Sequence, residues 1–211
     1  MLSNKDLAKL SHILSYALRH NPLKYNLVLD KEGWTSISEL LIALSLHHHD
    51  HHRSNRWLRH IEKQNLEEMI ARSDKVRFEI KDDKIRALYG HSSSFIPFAK
   101  IQKIASKPPD ILYHGTSPTA AKNIMSEGLR AMNRQYVHLS TDRRTALQVG
   151  KRKMISKNEE EHEPVIIAIS AIEAYNTGIY HFYRASDSVW LSDYIHPNFM
   201  QKYLVSNEKR P

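Results

Sequence analysis

The sequence predicts an α+β protein of two lobes, a helical amino-terminal lobe closed by a β-hairpin and a mixed, strand-rich carboxy-terminal lobe. Three observations carry that expectation. Apolar residues recur at three- and four-residue spacing through the early part of the chain, as at Leu10, Ile13, Leu14, Ala17 and Leu18. Residues 76–89 then alternate on either side of a polar turn. Beyond residue 110, short alternating stretches interleave with helical ones. Between the two patterns lies a Ser- and Pro-bearing stretch with little periodicity, so the expected division is 1–95, a linker at 96–109, and 110–211.

In chain order, the first helix stops at Asn21 because the residue before Pro22 is pushed out of the helical region, which puts Arg19 and His20 in the last turn. A cation at that position is favoured by the helix dipole, and both residues are expected to be exposed. Asp30 to Gly33 reads as a turn. Ser36 and Glu39 have capping-box spacing and open a second helix over 37–46. The histidine-rich run 47–52 is read as a solvated loop with no fixed metal geometry. A helical extension is expected over 57–64, and Asn65 is expected to cap another short helix ending near Ser73. The hairpin pairs 76–80 with 85–89 across Lys81–Lys84. In the second half, strands are expected at 111–116, 136–140, 165–169, 180–183 and 189–191. Helices are expected at 118–129, with Pro at its start and Gly128 near its end, and from Asp142 to about Lys153.

Composition narrows the chemistry. With 211 residues, 41% hydrophobic, the chain can bury real cores. It lacks cysteine, which removes disulfides, thiolate metal sites and thiol nucleophiles, and a cytoplasmic home fits, or a nuclear one in a eukaryote. No apolar run approaches a membrane span, and no metal is expected. The formal charge of +8 is spread over both halves and favours a polyanionic partner, nucleic acid first. Six scattered glycines supply neither a phosphate loop nor a dinucleotide fingerprint. What remains is a set of Arg and His residues at element ends: Arg19, His20, Arg77 and Arg134, together with the strand-end triplets His114-Gly115-Thr116 and His138-Leu139-Ser140. Guanidinium forks suit phosphate, and an imidazole among them can move a proton.

Those residues sit in motifs that occur in order along nearly the whole chain. They include Leu18-Arg19-His20-Asn21-Pro22, Gly33-Trp34, Arg77-Phe78, Gly90-His91-Ser92, Tyr113-His114-Gly115-Thr116, Arg134 with Tyr136 to Ser140, and Val189-Trp190-Leu191. Together they resemble the RNA 2′-phosphotransferase family, called Tpt1 in yeast and KptA in bacteria. The resemblance implies a winged-helix lobe followed by a lobe with the ADP-ribosyltransferase fold. It implies an NAD-dependent reaction on 2′-phosphorylated RNA, such as tRNA at splice junctions, by a monomeric enzyme without a metal. The RNA 2′-phosphate would displace nicotinamide from the ribose, and a ribose hydroxyl would then take the phosphoryl group. By motif, the catalytic set falls on Arg19, His20, Arg77 and Arg134, and NAD-binding positions on His114, Gly115, Thr116, His138, Leu139 and Ser140. The chain departs from the family pattern at Tyr89, Lys153 and Asp187-Ser188. Two other readings stay open: a transferase that caps terminal phosphates of nucleic acid, and an inactive nucleic-acid-binding module.

Overall fold

The computed structural model describes residues 2–46, 53–93, 100–155 and 163–203, and the histidine-rich run 47–52 lies outside the described residues. The architecture is α+β, and the chain divides into two compact units, Met1–Lys103 and Ile104–Pro211.

In the first unit, α1 (Asn4–Ser15) begins where the Ser3 hydroxyl accepts from the Asp6 N–H, satisfying one of the donors a helix start leaves open. The helix does not simply end at Asn21. It changes pitch into a π turn, Tyr16–His20, closed by Asn21 N–H donating to the Tyr16 carbonyl at 2.9 Å. A strand that the sequence pattern does not announce, β1 (Trp34–Ser36), leads directly into α2 (Ile37–Leu46). The expected capping box at α2 does not form. Ser36 pairs with the Ser38 hydroxyl, while the Glu39 carboxylate accepts from Thr35. A 3₁₀ turn (Arg53–His60) occupies part of the expected helical extension. It precedes α3 (Lys63–Ala71), whose N-cap is Glu62. Asn65 lies inside that helix and reaches back to accept from the Glu62 N–H at 2.9 Å.

The hairpin is present as β2 (Phe78–Lys81) and β3 (Lys84–Ala87): the turn at Asp82, which has φ 54°, is tighter than expected and lets Lys81 pair with Lys84, while residues 76–77 and 88–89 at the outer ends are not strand. Strand β1 adds to it with Trp34 opposite Arg86, giving the antiparallel order β1-β3-β2. Leu10, Leu14, Leu18, Leu40, Leu44, Leu66 and Ile85 fill the core between helices and sheet. Their spacing on α1 is what the sequence pattern required.

In the second unit, β4 (Ile111–Thr116) leads into α4 (Pro118–Glu127), capped by Ser117 accepting from the Ala120 N–H. After β5 (Leu129–Arg130) and β6 (Val137–Ser140) comes α5 (Arg143–Ile155), where Asp142 caps as expected by accepting from Thr145 N–H at 2.7 Å. Then come β7 (Val165–Ser170), α6 (Ala171–Asn176), β8 (Phe182–Arg184), β9 (Val189–Ser192), β10 (Tyr194–Ile195) and β11 (Met200–Tyr203). Six strands form one antiparallel sheet in the order β11-β7-β4-β6-β9-β8, and β10 pairs with β5 apart from it. A second apolar core, including Leu112, Leu139, Ile167, Ile169, Phe182 and Trp190, lies under this sheet. Among the described residues no helix is long and apolar enough to cross a membrane.

Candidate functional site

Three of the four residues singled out for catalysis meet in the first unit. The π turn brings Arg19 inward, to 8% exposure, which corrects the expectation of an exposed helix end. An extra residue in the turn rotates the residues after it by roughly 100° about the helix axis, so a position past the apolar stripe is swung into the interior. There the guanidinium lies over the rings of Phe78 and Tyr89, 5.2 and 4.9 Å from their centroids. Its Nη2 donates to the Arg77 carbonyl at 3.2 Å. A buried guanidinium is tolerable only with such partners, since aromatic faces and a carbonyl replace part of its hydration.

Arg77 itself lies just before β2, where its carbonyl also accepts from the Leu88 N–H. Its Nη1 donates to Ser73 Oγ at 3.0 Å, and among the described residues nothing is bonded to its Nε or Nη2. The half-buried fork is therefore held at one corner with the rest available to an anion. His20 Nδ1 shares a hydrogen bond with Ser92 Oγ at 2.9 Å. Two cations and an imidazole are thus drawn from the end of the first helix and the start of the hairpin.

The remaining candidates belong to the second unit. Arg134 is exposed on the loop before β6, its N–H donating to the Ala131 carbonyl. Partial desolvation lowers its guanidinium pKa, but an arginine stays charged at neutral pH. His114 on β4 is buried, with Nδ1 2.9 Å from the His138 carbonyl and Nε2 3.1 Å from Lys153 Nζ. One tautomer satisfies both contacts: Nδ1–H donates to the carbonyl, and Nε2 accepts from the ammonium. Burial first and the Lys153 charge second hold the His114 pKa at about 3, so its ring is neutral.

Thr116 and Ser140 are buried hydroxyls near the ends of β4 and β6. Gly115 is flat against α5, and His138 is half-buried on β6. The Leu139 side chain is in the core, so only its backbone could face a ligand.

Sequence reasoning did not find Lys103, whose ammonium is pulled down to about 8 by burial and by neighbouring Arg86. No local motif marks it. Two departures from the family pattern touch candidate residues: Tyr89 supports Arg19, and Lys153 contacts His114. The third, Asp187, makes an exposed ion pair with Arg184.

Neutral His114 makes stability depend on pH. Its pKa is depressed on folding, so the unfolded chain binds the extra proton and stability falls as pH drops below about 6.5, by roughly 1.4 kcal/mol per unit until about 3. Urea unfolding at pH 7 and pH 5 should show a larger loss for the wild type than for His114→Gln. Equal losses would mean that His114 protonates in the folded state.

Comparison with known proteins shows the family to which the chain belongs. A family model described as RNA 2′-phosphotransferase, Tpt1/KptA family, matches residues 5–194. A probable RNA 2′-phosphotransferase of Acetivibrio thermocellus is 45% identical over 196 residues, covering 93% of this chain and 97% of that protein. One of Bacillus thuringiensis is 44% identical over 200 residues, covering 95% and 97%. One of Lacticaseibacillus paracasei is 40% identical over 210 residues and covers both chains fully. With nine-tenths of its length matched and relatives this similar end to end, the chain belongs to the RNA 2′-phosphotransferase family.

Proposed function

We propose that this protein is an NAD-dependent RNA 2′-phosphotransferase. It removes an internal 2′-phosphate, as on tRNA after splicing, and yields 2′-hydroxyl RNA, ADP-ribose 1″,2″-cyclic phosphate and nicotinamide. The observation that carries the reading is the gathering of Arg19, His20 and Arg77 around a π turn, a feature frequent at functional sites. The names of the relatives support it. The three helices and three-stranded sheet of the first unit support a winged-helix reading. The six-stranded antiparallel sheet of the second supports an ADP-ribosyltransferase-like one.

The residues of β4, β6 and α5 fit a dinucleotide chemically. They offer a neutral imidazole at His114, hydroxyls at Thr116 and Ser140, and the Lys153 cation beside them, the charge a pyrophosphate requires. His114, Gly115, Thr116, His138, Leu139 and Ser140 would hold NAD, the last two partly through backbone groups. NAD supplies an anomeric carbon bonded to nicotinamide, a leaving group that departs neutral.

The chain's own work is on the phosphate. A phosphate monoester carries roughly −1.5 to −2 charges at pH 7, so it arrives as a nucleophile and needs orientation more than a base. Arg77 binds its oxygens, and the motif match assigns a phosphate-directed charge to Arg134 as well. Arg19, in the first unit's interior, adds positive potential and holds the Arg77 backbone. His20 moves the proton when the phosphorus is attacked.

The test is incubation with NAD and a short RNA bearing one internal 2′-phosphate, with mass analysis of all products. Release of nicotinamide and cyclic phosphate with 2′-hydroxyl RNA is expected. Intact RNA would instead favour a binding module, and RNA gaining an ADP-ribose on a terminal phosphate would favour a capping transferase. His20→Ala is expected to slow formation of 2′-hydroxyl RNA by roughly 10²- to 10⁴-fold while nicotinamide release continues. Parallel loss of nicotinamide release would remove His20 from the second transfer.

A further inference from the structure

The segment Gly90-His91-Ser92, whose Ser92 pairs with His20 across 72 residues of sequence, is fastened to the first unit's interior at three successive positions. At Gly90, φ is +89°, a region open mainly to glycine, and an added Cβ would come within 3.3 Å of Arg19 Nη1 and 3.4 Å of its Cδ. Gly90 therefore lies directly on the Arg19 side chain. His91 is 3% exposed, and its ring packs where a Cβ on Gly33 would meet it. Ser92 donates its backbone N–H to the Arg19 carbonyl at 2.9 Å, while its hydroxyl pairs with His20 Nδ1, also at 2.9 Å. The interior anchor at His91 and the backbone bond at Arg19 fix where the Ser92 hydroxyl stands, and that hydroxyl fixes the His20 ring.

We propose that Ser92 is a positioning residue for His20, presenting Nε2 to the RNA phosphate and holding the ring through its change of charge. A carbonyl partner could only accept, and would demand a proton on Nδ1 at all times. A serine hydroxyl can accept from Nδ1–H or, once turned, donate to a bare Nδ1. While Ser92 accepts, the neutral ring has a lone pair on Nε2 and can take a proton there. The cation so formed keeps the same Nδ1–H bond to Ser92. While Ser92 donates, the neutral ring carries its proton on Nε2, on the side turned away from the serine. One fixed ring orientation therefore serves both tautomers and the cation. This inference rests on the catalytic role of His20.

Ser92→Ala and Ser92→Thr separate positioning from folding, because both keep the backbone bond to Arg19. The nitrogen resonances of His20 in ¹⁵N-histidine-labelled free protein report the tautomer without any reaction. With 2′-phosphorylated RNA and NAD, Ser92→Ala is expected to lower kcat roughly 10- to 100-fold with KM for RNA little changed. The His20 nitrogens should shift, the melting temperature should hold, and Ser92→Thr should restore both kcat and the resonances. Wild-type kcat and unmoved His20 nitrogens in Ser92→Ala would overturn the proposal, as would kcat and melting temperature falling together without rescue by threonine. If His20→Ala is itself fully active, the role of His20 falls, and the nitrogen spectra still decide whether Ser92 orients the ring.

Discussion

Arg77→Ala is expected to lower phosphate removal from 2′-phosphorylated RNA by roughly 10³-fold, the loss of one preorganised donor at a site of concentrated negative charge. The fold should survive. Arg77 gives Nη1 to Ser73 and Lys75, exposed or half-buried groups that water can satisfy, and its backbone bonds to Arg19 and Leu88 do not depend on the side chain. Arg134→Ala should behave alike, since that side chain is exposed. Arg19→Ala forms the contrast. Removing a guanidinium packed over Phe78 and Tyr89 and under Gly90 leaves a void, so both turnover and melting temperature should drop. Steady-state turnover beside thermal unfolding of all three variants checks this. Near-normal turnover in Arg77→Ala or Arg134→Ala would remove those residues from the phosphate site.

Gly115→Ala, the addition of a single methyl group, should cost about 3 kcal/mol of stability or more. A Cβ at this position would stand 1.7 Å from the Ala146 carbonyl oxygen and 2.9 Å from the Gly150 N. Both are backbone atoms of α5, so no flexible side chain can move aside, and the helix itself must lift from β4. Lifting it would also disturb Lys153 against His114. Urea unfolding of Gly115→Ala measures the effect, and a change below about 1 kcal/mol would mean that α5 moves on the sheet far more readily than a close-packed interior allows. Gly115 therefore has a packing reason to be glycine that is independent of any ligand.

Periodicity made several parts of this molecule legible from residue order. Leu10, Leu14 and Leu18 lie on one helical face and are fully buried, and the alternation around Asp82 is a true hairpin. Asp142 caps α5 through a bond spanning three residues. Interactions of that range leave a local signature. The short strands Trp34–Ser36, Leu129–Arg130 and Tyr194–Ile195 leave none, because two or three residues show no period and are extended only by their partners across the sheet. Asn65 sits inside α3 rather than at its cap for a related reason: its side chain bonds backwards along the helix, a direction the residue type does not disclose.

From the sequence alone came the α+β class, the family, and the identities of the arginines and histidines on which the proposed chemistry depends. Tertiary structure decided their states. It buried Arg19 through a π turn, joined His20 to Ser92 across 72 positions, and made His114 neutral by desolvation beside Lys153. Residue type sets what a group can donate, accept or carry as charge. Whether it does so depends on the dielectric and the partners around it, and these are supplied by segments far away along the chain.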